Sequence, residues 1–333
     1  RRMRWWSFGA SVAGVLLILG VGIMLWMKPE ENGVWEGEKT VEPGIGQVVL
    51  TLGDGESMPL KRDTNRLIFG GTMLQVRNER GTLVYSKIKS KEASEKIVYN
   101  TLTVPVRERF QLVLADGTKV FLNSGSEMRY PERFGKARRE VFLKGEAWFE
   151  VAKDSAREFW VHAGAMDVKV LGTSFNVKAY ERLETVATTL VEGSVEVACA
   201  GKSFQIVPGE QFVYDKNNRV MDVRMVDTES YVSWKDGYYK FRQTTLEEIM
   251  ETLSVWYGLN VFYVNESAKQ VEFTGKVKRY EDARMLLDKF EQTGDVVFDI
   301  KGNNVFITIK QKKPFAREWN SFLVKARGMV WQS

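Results

Sequence analysis

The amino-acid sequence predicts one N-terminal transmembrane helix, then an all-β domain outside the cytoplasm, then a small α+β domain. Three observations predict this order. Residues 5–27 are apolar and uncharged, residues 45–230 alternate between apolar and polar side chains with frequent turn residues, and helical spacing of apolar residues begins near residue 244. For the all-β domain, the alternation fits either a multi-strand sandwich or a solenoid-like arrangement.

The apolar segment 5–27 is long enough to cross a bilayer. As a helix it spans roughly 35 Å, against a hydrocarbon core of about 30 Å. Trp5 and Trp26 lie at the predicted interfaces, and three arginines in residues 1–4 place the N-terminus in the cytoplasm by the positive-inside rule. A cleaved signal peptide is the alternative, but its apolar region would be shorter. Residues 1–4 are then a cytoplasmic remnant, and residues 28–44 form a linker.

Two segments of the all-β domain repeat one pattern. Residues 49–60 and 111–122 each place an Asp-Gly pair between short alternating runs, which predicts a β-hairpin with a tight turn. In the second copy, Leu112, Val120 and Leu122 share one buried face. An acidic Ca²⁺-binding loop is the alternative, but it needs more oxygen ligands at close spacing.

The segment 146–151 predicts a strand with two unlike faces. Alternation directs three side chains to the core, namely Ala147, Phe149 and Val151, and three to solvent, namely Glu146, Trp148 and Glu150. As a glycosidase pair, Glu146 and Glu150 would stand about 13 Å apart along the strand, beyond the roughly 5–9.5 Å that this chemistry uses. A solvated face is therefore predicted, not a catalytic pair.

From residue 234 to 310 the pattern changes to the element order βαββαββ. Thr244 or Thr245, each followed three residues later by a glutamate, predicts the start of a helix, and Gly258 predicts its end. A second amphipathic helix ends before Gly294. The predicted strands are 234–241, 260–264, 271–277, 296–300 and 305–309. Two helices on one face of a small sheet leave at least one strand edge open.

The composition excludes several classes of protein. The 333 residues include one cysteine, Cys199, which excludes an intramolecular disulfide, and one histidine, His162, which weighs against metal sites and Ser/His/Asp hydrolases. Both lie in strand-like segments, which favours structural roles. Phosphate-, dinucleotide- and zinc-binding motifs of common enzymes are missing. We therefore predict a protein that is not an enzyme and that uses no cofactor or metal ion.

Positive charge is concentrated at the two ends of the chain. The net charge is +5, yet residues 1–4 hold three arginines and residues 310–333 hold six basic residues against one acidic residue. Direct binding of nucleic acid by the body of the protein is therefore not predicted. Apolar residues at helical spacing make residues 311–333 a basic amphipathic tail, which can contact anionic lipid or a partner, or dock onto the preceding domain.

Several motifs, in this order, resemble the FecR family of sigma-factor regulators. The matching segments are Leu114–Asn123, Arg139–Val141, Gly145–Val151, Val170–Val177, Val191–Val195 and Pro208–Gln211. The resemblance runs from about residue 45 to residue 310. Residues 234–310 look like the C-terminal domain of Bacteroidetes-type FecR proteins. They are also similar to STN-like domains, the short signalling domains of secretins and TonB-dependent transporters.

The resemblance implies a signalling relay across the inner membrane. Family members are anti-sigma factors that hold an extracytoplasmic-function sigma factor through a cytoplasmic N-terminal segment, which these 333 residues lack. In the periplasm they contact the signalling domain of a substrate-loaded outer-membrane TonB-dependent transporter. The expected location is the inner membrane, with a single pass, a cytoplasmic N-terminus and the bulk of the chain in the periplasm. Strand addition at an open edge is the expected mode of contact.

The resemblance also implies a candidate self-cleavage site. Some FecR-like regulators cut themselves at a Gly-Thr bond, and Gly172 and Thr173 lie in the matching motif. The Thr173 hydroxyl would attack the Gly172 carbonyl carbon to give an ester that water hydrolyses, although no general base is identifiable. The alternative is that these two residues form a turn between strands.

Two other functions stay open from the sequence. Trp148 and Trp160, together with nearby carboxylates, fit a membrane-tethered protein that binds or processes envelope polysaccharide. A scaffold without a switch is the third possibility. Neither a glycan nor an iron complex is predicted as the signal, because in the relay the transporter selects the ligand.

Overall fold

The computed structural model describes residues 46–61, 66–70, 74–79, 81–87, 97–279, 282–293 and 295–310. All of them belong to one compact unit, Pro43–Ser333. No helix in this described part is long and apolar enough to span a membrane. The predicted remnant 1–4, transmembrane segment 5–27, linker 28–44 and tail 311–333 lie outside it.

The first part of the described chain consists of strands. They are β1 (Val48–Thr51), β2 (Ser57–Leu60), β3 (Arg66–Gly70), β4 (Leu74–Glu79), β5 (Thr82–Lys87), β6 (Tyr99–Val104), β7 (Phe110–Val113), β8 (Lys119–Leu122), β9 (Ser126–Pro131), β10 (Arg139–Glu150), β11 (Phe159–Ala163), β12 (Met166–Val170), β13 (Ser174–Ala179), β14 (Thr185–Glu192), β15 (Val195–Cys199), β16 (Lys202–Ile206), β17 (Glu210–Asp215) and β18 (Val220–Met225). Both hairpins of the sequence repeat are confirmed, as β1–β2 and β7–β8.

These strands form two sheets that share β10. Sheet A has the spatial order β2-β1-β6-β9-β10-β11-β12-β15-β16. Sheet B has the order β3-β4-β5-β7-β8-β10-β13-β14-β17-β18. Strand β10 passes from sheet A to sheet B at Gly145. The φ angle of this residue is +106°, and a Cβ there would lie 2.7 Å from the Ser126 Cα. Only glycine fits both conditions.

The inner faces of the two sheets enclose one apolar core. Leu112, Val120 and Leu122 are fully buried in it, as predicted. The Phe149 ring of sheet B stacks on Phe175 at 5.2 Å and meets Phe159 of sheet A edge-on at 6.2 Å between ring centroids. The predicted all-β domain is thus confirmed as two sheets that share one strand and enclose a common core.

The second part of the chain has the predicted element order βαββαββ, preceded by a short helix. Its elements are α1 (Thr228–Val232), a 3₁₀ turn (Ser233–Asp236), β19 (Tyr238–Thr245), α2 (Leu246–Tyr257), β20 (Asn260–Tyr263), a second 3₁₀ turn (Glu266–Gln270), β21 (Glu272–Lys278), α3 (Ala283–Thr293), β22 (Val296–Lys301) and β23 (Asn304–Ile309). We call residues 238–309 the C-terminal module.

Helix α2 confirms the capping signals of the sequence. The Thr245 hydroxyl accepts a hydrogen bond from the Glu248 N–H at 3.3 Å, and Gly258 ends the helix in the left-handed conformation at φ +69°. Leu246, Ile249 and Leu253 are at most 1% exposed, so the apolar stripe packs into the core of the module.

Two predictions about the module are wrong. The strand predicted at 234–241 starts at Tyr238, because residues 233–236 form a 3₁₀ turn that Gly237 ends at φ +83°. The predicted single small sheet is two sheets. Strand β19 pairs only with β21 among the described strands, and a register shift between Phe241 and Thr244 interrupts that ladder. Strands β20, β23 and β22 form the second sheet.

Candidate functional site

The Gly172–Thr173 pair lies between β12 and β13 and is fixed by backbone hydrogen bonds. The N–H of Val151 donates to the Thr173 carbonyl at 3.0 Å, and the N–H of Asp154 donates to the Leu171 carbonyl at 2.9 Å. The pair thus lies against the segment that follows β10, where two segments of the chain pack tightly together.

Steric contact gives Gly172 a structural reason to be glycine. A Cβ at this position would lie 2.8 Å from the Lys153 Cα, a distance that real Cβ atoms do not tolerate. The Thr173 side chain is equally confined, since it is 4% exposed and its hydroxyl donates to the Ser194 carbonyl at 3.0 Å. That carbonyl is not a base that could take the hydroxyl proton. Self-cleavage at this bond stays a prediction, and close packing is an additional role for the pair.

A buried arginine holds the same region together. Arg139 is fully buried, and its Nη1 lies 2.9 Å from Asp116 Oδ2 and donates to the Ala152 carbonyl at 2.8 Å. Its Nη2 donates to the carbonyls of Arg157 and Leu171 at 2.9 and 3.4 Å. Sequence reasoning missed this role. Two features of the sequence could have indicated it. One is the arginine at the start of an alternating strand, and the other is the aspartate in the Asp-Gly turn of the second hairpin.

The face of β10 that alternation assigned to solvent is covered. Glu146 is 8% and Trp148 is 4% exposed, so the predicted solvated face is wrong for both residues. The physical reason is that the C-terminal module packs on this outer face of sheet B, and Trp148 belongs to the apolar cluster of the module. Alternation along one strand identifies two faces but does not show what a later part of the chain places on the second one.

Glu146 is held by two amide groups inside this covered face. The Asn123 Nδ2 donates to Oε2 at 2.8 Å, and the Asn176 Nδ2 donates to Oε1 at 2.9 Å. The Asn176 Oδ1 in turn accepts a hydrogen bond from the Trp234 indole N–H at 3.3 Å. Loss of hydration raises the pKa of Glu146, and the charge of Lys178 and the two amides only partly offset that effect.

Backbone and side-chain hydrogen bonds join the module to two loops of the β domain, the one between β6 and β7 and the one after β8. The Ser124 hydroxyl donates to the carbonyls of Val255 and Trp256 at 3.2 Å, and the Arg107 N–H donates to the Trp256 carbonyl at 3.0 Å. These bonds occupy carbonyl groups at the C-terminal end of α2 that the helix itself leaves free. The module is therefore docked on the β domain at a defined place.

His162 and Cys199 occupy structural positions. The His162 ring stacks on Phe142 at 4.8 Å and on Trp160 at 6.2 Å between centroids, and its Nδ1 lies 2.7 Å from Asp167 Oδ1. Cys199 is 2% exposed at the end of β15, where burial raises the pKa of its thiol. The geometry agrees with the packing roles that the sequence favoured for both.

The module presents an open strand edge with exposed apolar side chains. Strand β20 pairs with β23 and with no other described strand, so its second edge has no strand partner in the described chain. Phe262 is 47% exposed and stacks on Phe306 at 5.1 Å, and Val264 just beyond the strand is 62% exposed. An open edge beside exposed apolar groups is typical of a surface that receives a partner strand.

Two protein-family models match the chain. The model described as FecR protein matches residues 100–196, and the model described as FecR, C-terminal, matches residues 238–307. The first match includes Arg139, Glu146 and the Gly172–Thr173 pair, and the second is the C-terminal module. The chain belongs to the FecR family and carries the FecR C-terminal domain.

Two solved structures are similar to the chain, and both come from Parabacteroides distasonis. They are crystal structures, at 1.65 and 2.50 Å resolution, of a protein described as a candidate anti-sigma factor. Each is 27% identical to this chain with a TM-score of 0.58. The first covers 63% of this chain and 99% of the solved one, and the second covers 64% and 100%. None of the curated proteins matches the chain.

Proposed function

We propose that this protein is a signal transducer of the inner membrane that acts as an anti-sigma factor. A cytoplasmic segment ahead of residue 1 holds an extracytoplasmic-function sigma factor, and residues 5–27 cross the membrane. The C-terminal module contacts, in the periplasm, the signalling domain of a substrate-loaded TonB-dependent transporter. Support comes from the two FecR matches, from similarity to a candidate anti-sigma factor, and from the arginine-flanked apolar segment.

The open edge of β20 is the observation that supports a periplasmic binding partner for the module. Its Asn260 N–H donates to Asn303 at 2.8 Å, and the N–H of Val264 donates to Ile307 at 2.9 Å, both toward β23. In a parallel ladder the intervening alternate N–H groups face the other way, so those of Val261 and Tyr263 are directed to the open edge. A partner strand added there gains backbone hydrogen bonds, and Phe262 and Val264 supply apolar contacts.

The docking of the module gives a route for the signal. Contacts run from the module to the two loops that contain Arg107 and Ser124, and to the outer face of sheet B around Trp148. A partner that binds the module therefore acts on a surface already attached to the β domain. We propose that binding changes this docking and, through the β domain, the sigma-factor-binding segment on the other side of the membrane.

Calorimetric titration tests the contact. The unit 43–333 is titrated with isolated signalling domains of TonB-dependent transporters, and saturable binding to at least one of them is expected. Val261→Pro removes the outward N–H and is expected to weaken binding at least about tenfold, equivalent to about 1.4 kcal/mol. Phe262→Asp is expected to weaken it as well, whereas the matched control Met285→Asp, on an exposed residue of α3, is not.

The outcome that contradicts the proposal is unchanged affinity for the Pro and Asp variants with the fold intact by circular dichroism. Absence of binding to every signalling domain also contradicts it. The polysaccharide function receives no support from Trp148 or Glu146, because the module covers the surface on which that function was based.

A further inference from the structure

A polar cavity lies between the β domain and the elements that lead into the C-terminal module. Its floor is the outer face of β10, β13, β14 and β17, and its roof consists of α1, the 3₁₀ turn, β19 and the start of α2. Its volume is about 330 Å³, which is at the lower end of the roughly 300–1,000 Å³ typical of small-molecule sites. Neither part of the chain forms this site alone.

The floor is built from buried polar side chains. Glu146, Asn123 and Asn176 are 8%, 6% and 3% exposed, and all three line the cavity. Asn123 Oδ1 is buried and receives no hydrogen bond from the described part of the chain. A buried acceptor without a donor costs free energy, so a donor from a bound molecule or from water is expected at this point.

The polar groups of the floor offer acceptors and donors together, because the side-chain amides of Asn123 and Asn176 each have a second N–H besides the one that Glu146 accepts. Each carboxylate oxygen of Glu146 accepts one amide N–H from the described residues, although a carboxylate oxygen can accept two. Together with Asn123 Oδ1, at least three acceptor positions are open. Closely spaced hydroxyl groups fit such a floor, because each hydroxyl both donates and accepts a hydrogen bond.

Part of the roof of the cavity is aromatic. Trp234, Tyr239 and Phe241 line the roof and are at most 6% exposed. These rings offer apolar surface to the C–H groups of a ligand, while the floor offers acceptors to its hydroxyl groups. A sugar ring presents both kinds of surface within a few ångströms.

Charges of both signs line the cavity. The basic side chains of Lys178, Arg224 and Lys240 lie among five carboxyl groups, those of Glu146, Glu184, Glu247, Glu248 and Glu251. Ion pairs engage some of these groups, since Lys178 lies 3.8 Å from Glu251 and Arg224 lies 3.9 Å from Glu248. A small cation is the competing ligand, and the test below includes one.

We propose that the cavity binds a neutral polyhydroxylated molecule of about the size of one sugar ring. Its hydroxyl groups donate to Glu146 and Asn123, and its C–H surface lies against Trp234. Because both the β domain and the roof elements contact it, the bound molecule fixes the module in its docked position. This site is independent of the sigma-factor relay and of the strand edge on β20.

Saturation-transfer NMR on the unit 43–333 tests the proposal. The probes are glucose, galactose and N-acetylglucosamine, with methylammonium as the cation probe. At least one sugar is expected to bind saturably, and methylammonium is not. Ala187→Phe fills the cavity from its floor and is expected to weaken sugar binding at least tenfold, whereas Ala198→Phe, on the outward face of β15, leaves it unchanged.

A second variant keeps the test decisive if Ala187→Phe fails to fold. Asn123→Ala removes the open acceptor and is expected to weaken sugar binding, while the exposed Asn218→Ala serves as its control. Thermal unfolding of each variant shows whether the fold is retained. Absence of binding for all three sugars overturns the proposal. It is also overturned by sugar binding that survives both Ala187→Phe and Asn123→Ala, or by binding of methylammonium alone.

Discussion

At the scale of single residues, Glu146 shows what burial does to a carboxyl group. Its two oxygens accept amide hydrogen bonds, yet the dominant effect is loss of hydration, which raises its pKa above the ordinary value of 4.5. A carboxyl group with a raised pKa in the folded state binds protons more tightly there than in the unfolded state. Its ionisation therefore destabilises the fold.

We predict that this effect appears in the pH dependence of stability. Below about pH 4.5 the cost of ionisation is absent, and it grows as the pH rises through the folded-state pKa. Glu146→Gln does not ionise, so the stability of the wild type relative to this variant should fall as pH rises from about 4.5. Urea unfolding of both proteins at several pH values measures the difference. A difference that does not vary with pH would contradict a raised pKa for Glu146.

Arg139 is expected to be the most sensitive charged residue of the β domain. Arg139→Met leaves the Asp116 carboxylate, whose side chain is 7% exposed, without its cation, and such changes cost about 3–5 kcal/mol. The matched control is Lys119→Met, which breaks the exposed pair between Lys119 and Glu150 and should cost at most about 1 kcal/mol. Denaturant unfolding of both variants gives the comparison. Equal costs would contradict the proposed role of Arg139.

At the scale of elements, the segment between β12 and β13 depends on the absence of a side chain at Gly172. A methyl group there would overlap the Lys153 backbone, so Gly172→Ala should cost about 1–3 kcal/mol. Gly275 in β21 has no heavy atom within 4 Å of its hypothetical Cβ, so Gly275→Ala should cost nothing measurable. Thermal unfolding distinguishes the two. A neutral Gly172→Ala would remove the packing explanation and favour a purely chemical role for the Gly-Thr pair.

Local patterns predicted the elements whose causes are local. The Asp-Gly hairpins and the Thr245 and Gly258 caps of α2 depend on residues a few positions apart, and the structure confirms them. The predicted start of β19 was wrong because residues 234–241 alternate as in a strand, although residues 233–236 form a 3₁₀ turn before Gly237. The division of the module into two sheets depends on long-range pairing of β20 with β23, which no local pattern encodes.

The candidate site was predictable only in part for the same reason. Motif order located Gly172 and Thr173, but their contacts with Lys153 and Ser194 come from other connecting segments, about 20 residues away in the sequence. The covered face of β10 was mispredicted because its cover, around Trp234 and α2, lies about 90 residues further along the chain. The cavity between them follows from that docking and has no signature in the sequence.

At the scale of the whole molecule, the two domains form one docked unit with a free edge. The β domain supplies two sheets around one core, and the module is attached through Ser124, Arg107 and the Trp148 surface. Strand β20 and its exposed Phe262 lie on the module, so a partner can reach them while the docking contacts stay in place. This division leaves one edge of the module for the partner proposed above.

The most direct test of the relay is transcription controlled by the sigma factor in cells that carry the full-length protein. Transcript levels of the sigma-factor target genes are measured with and without the transporter substrate. The wild type should respond to the substrate, and Val261→Pro, present at equal protein level, should lose the response while Met285→Asp keeps it. A full response from the Val261→Pro protein would contradict the claim that the β20 edge receives the signal.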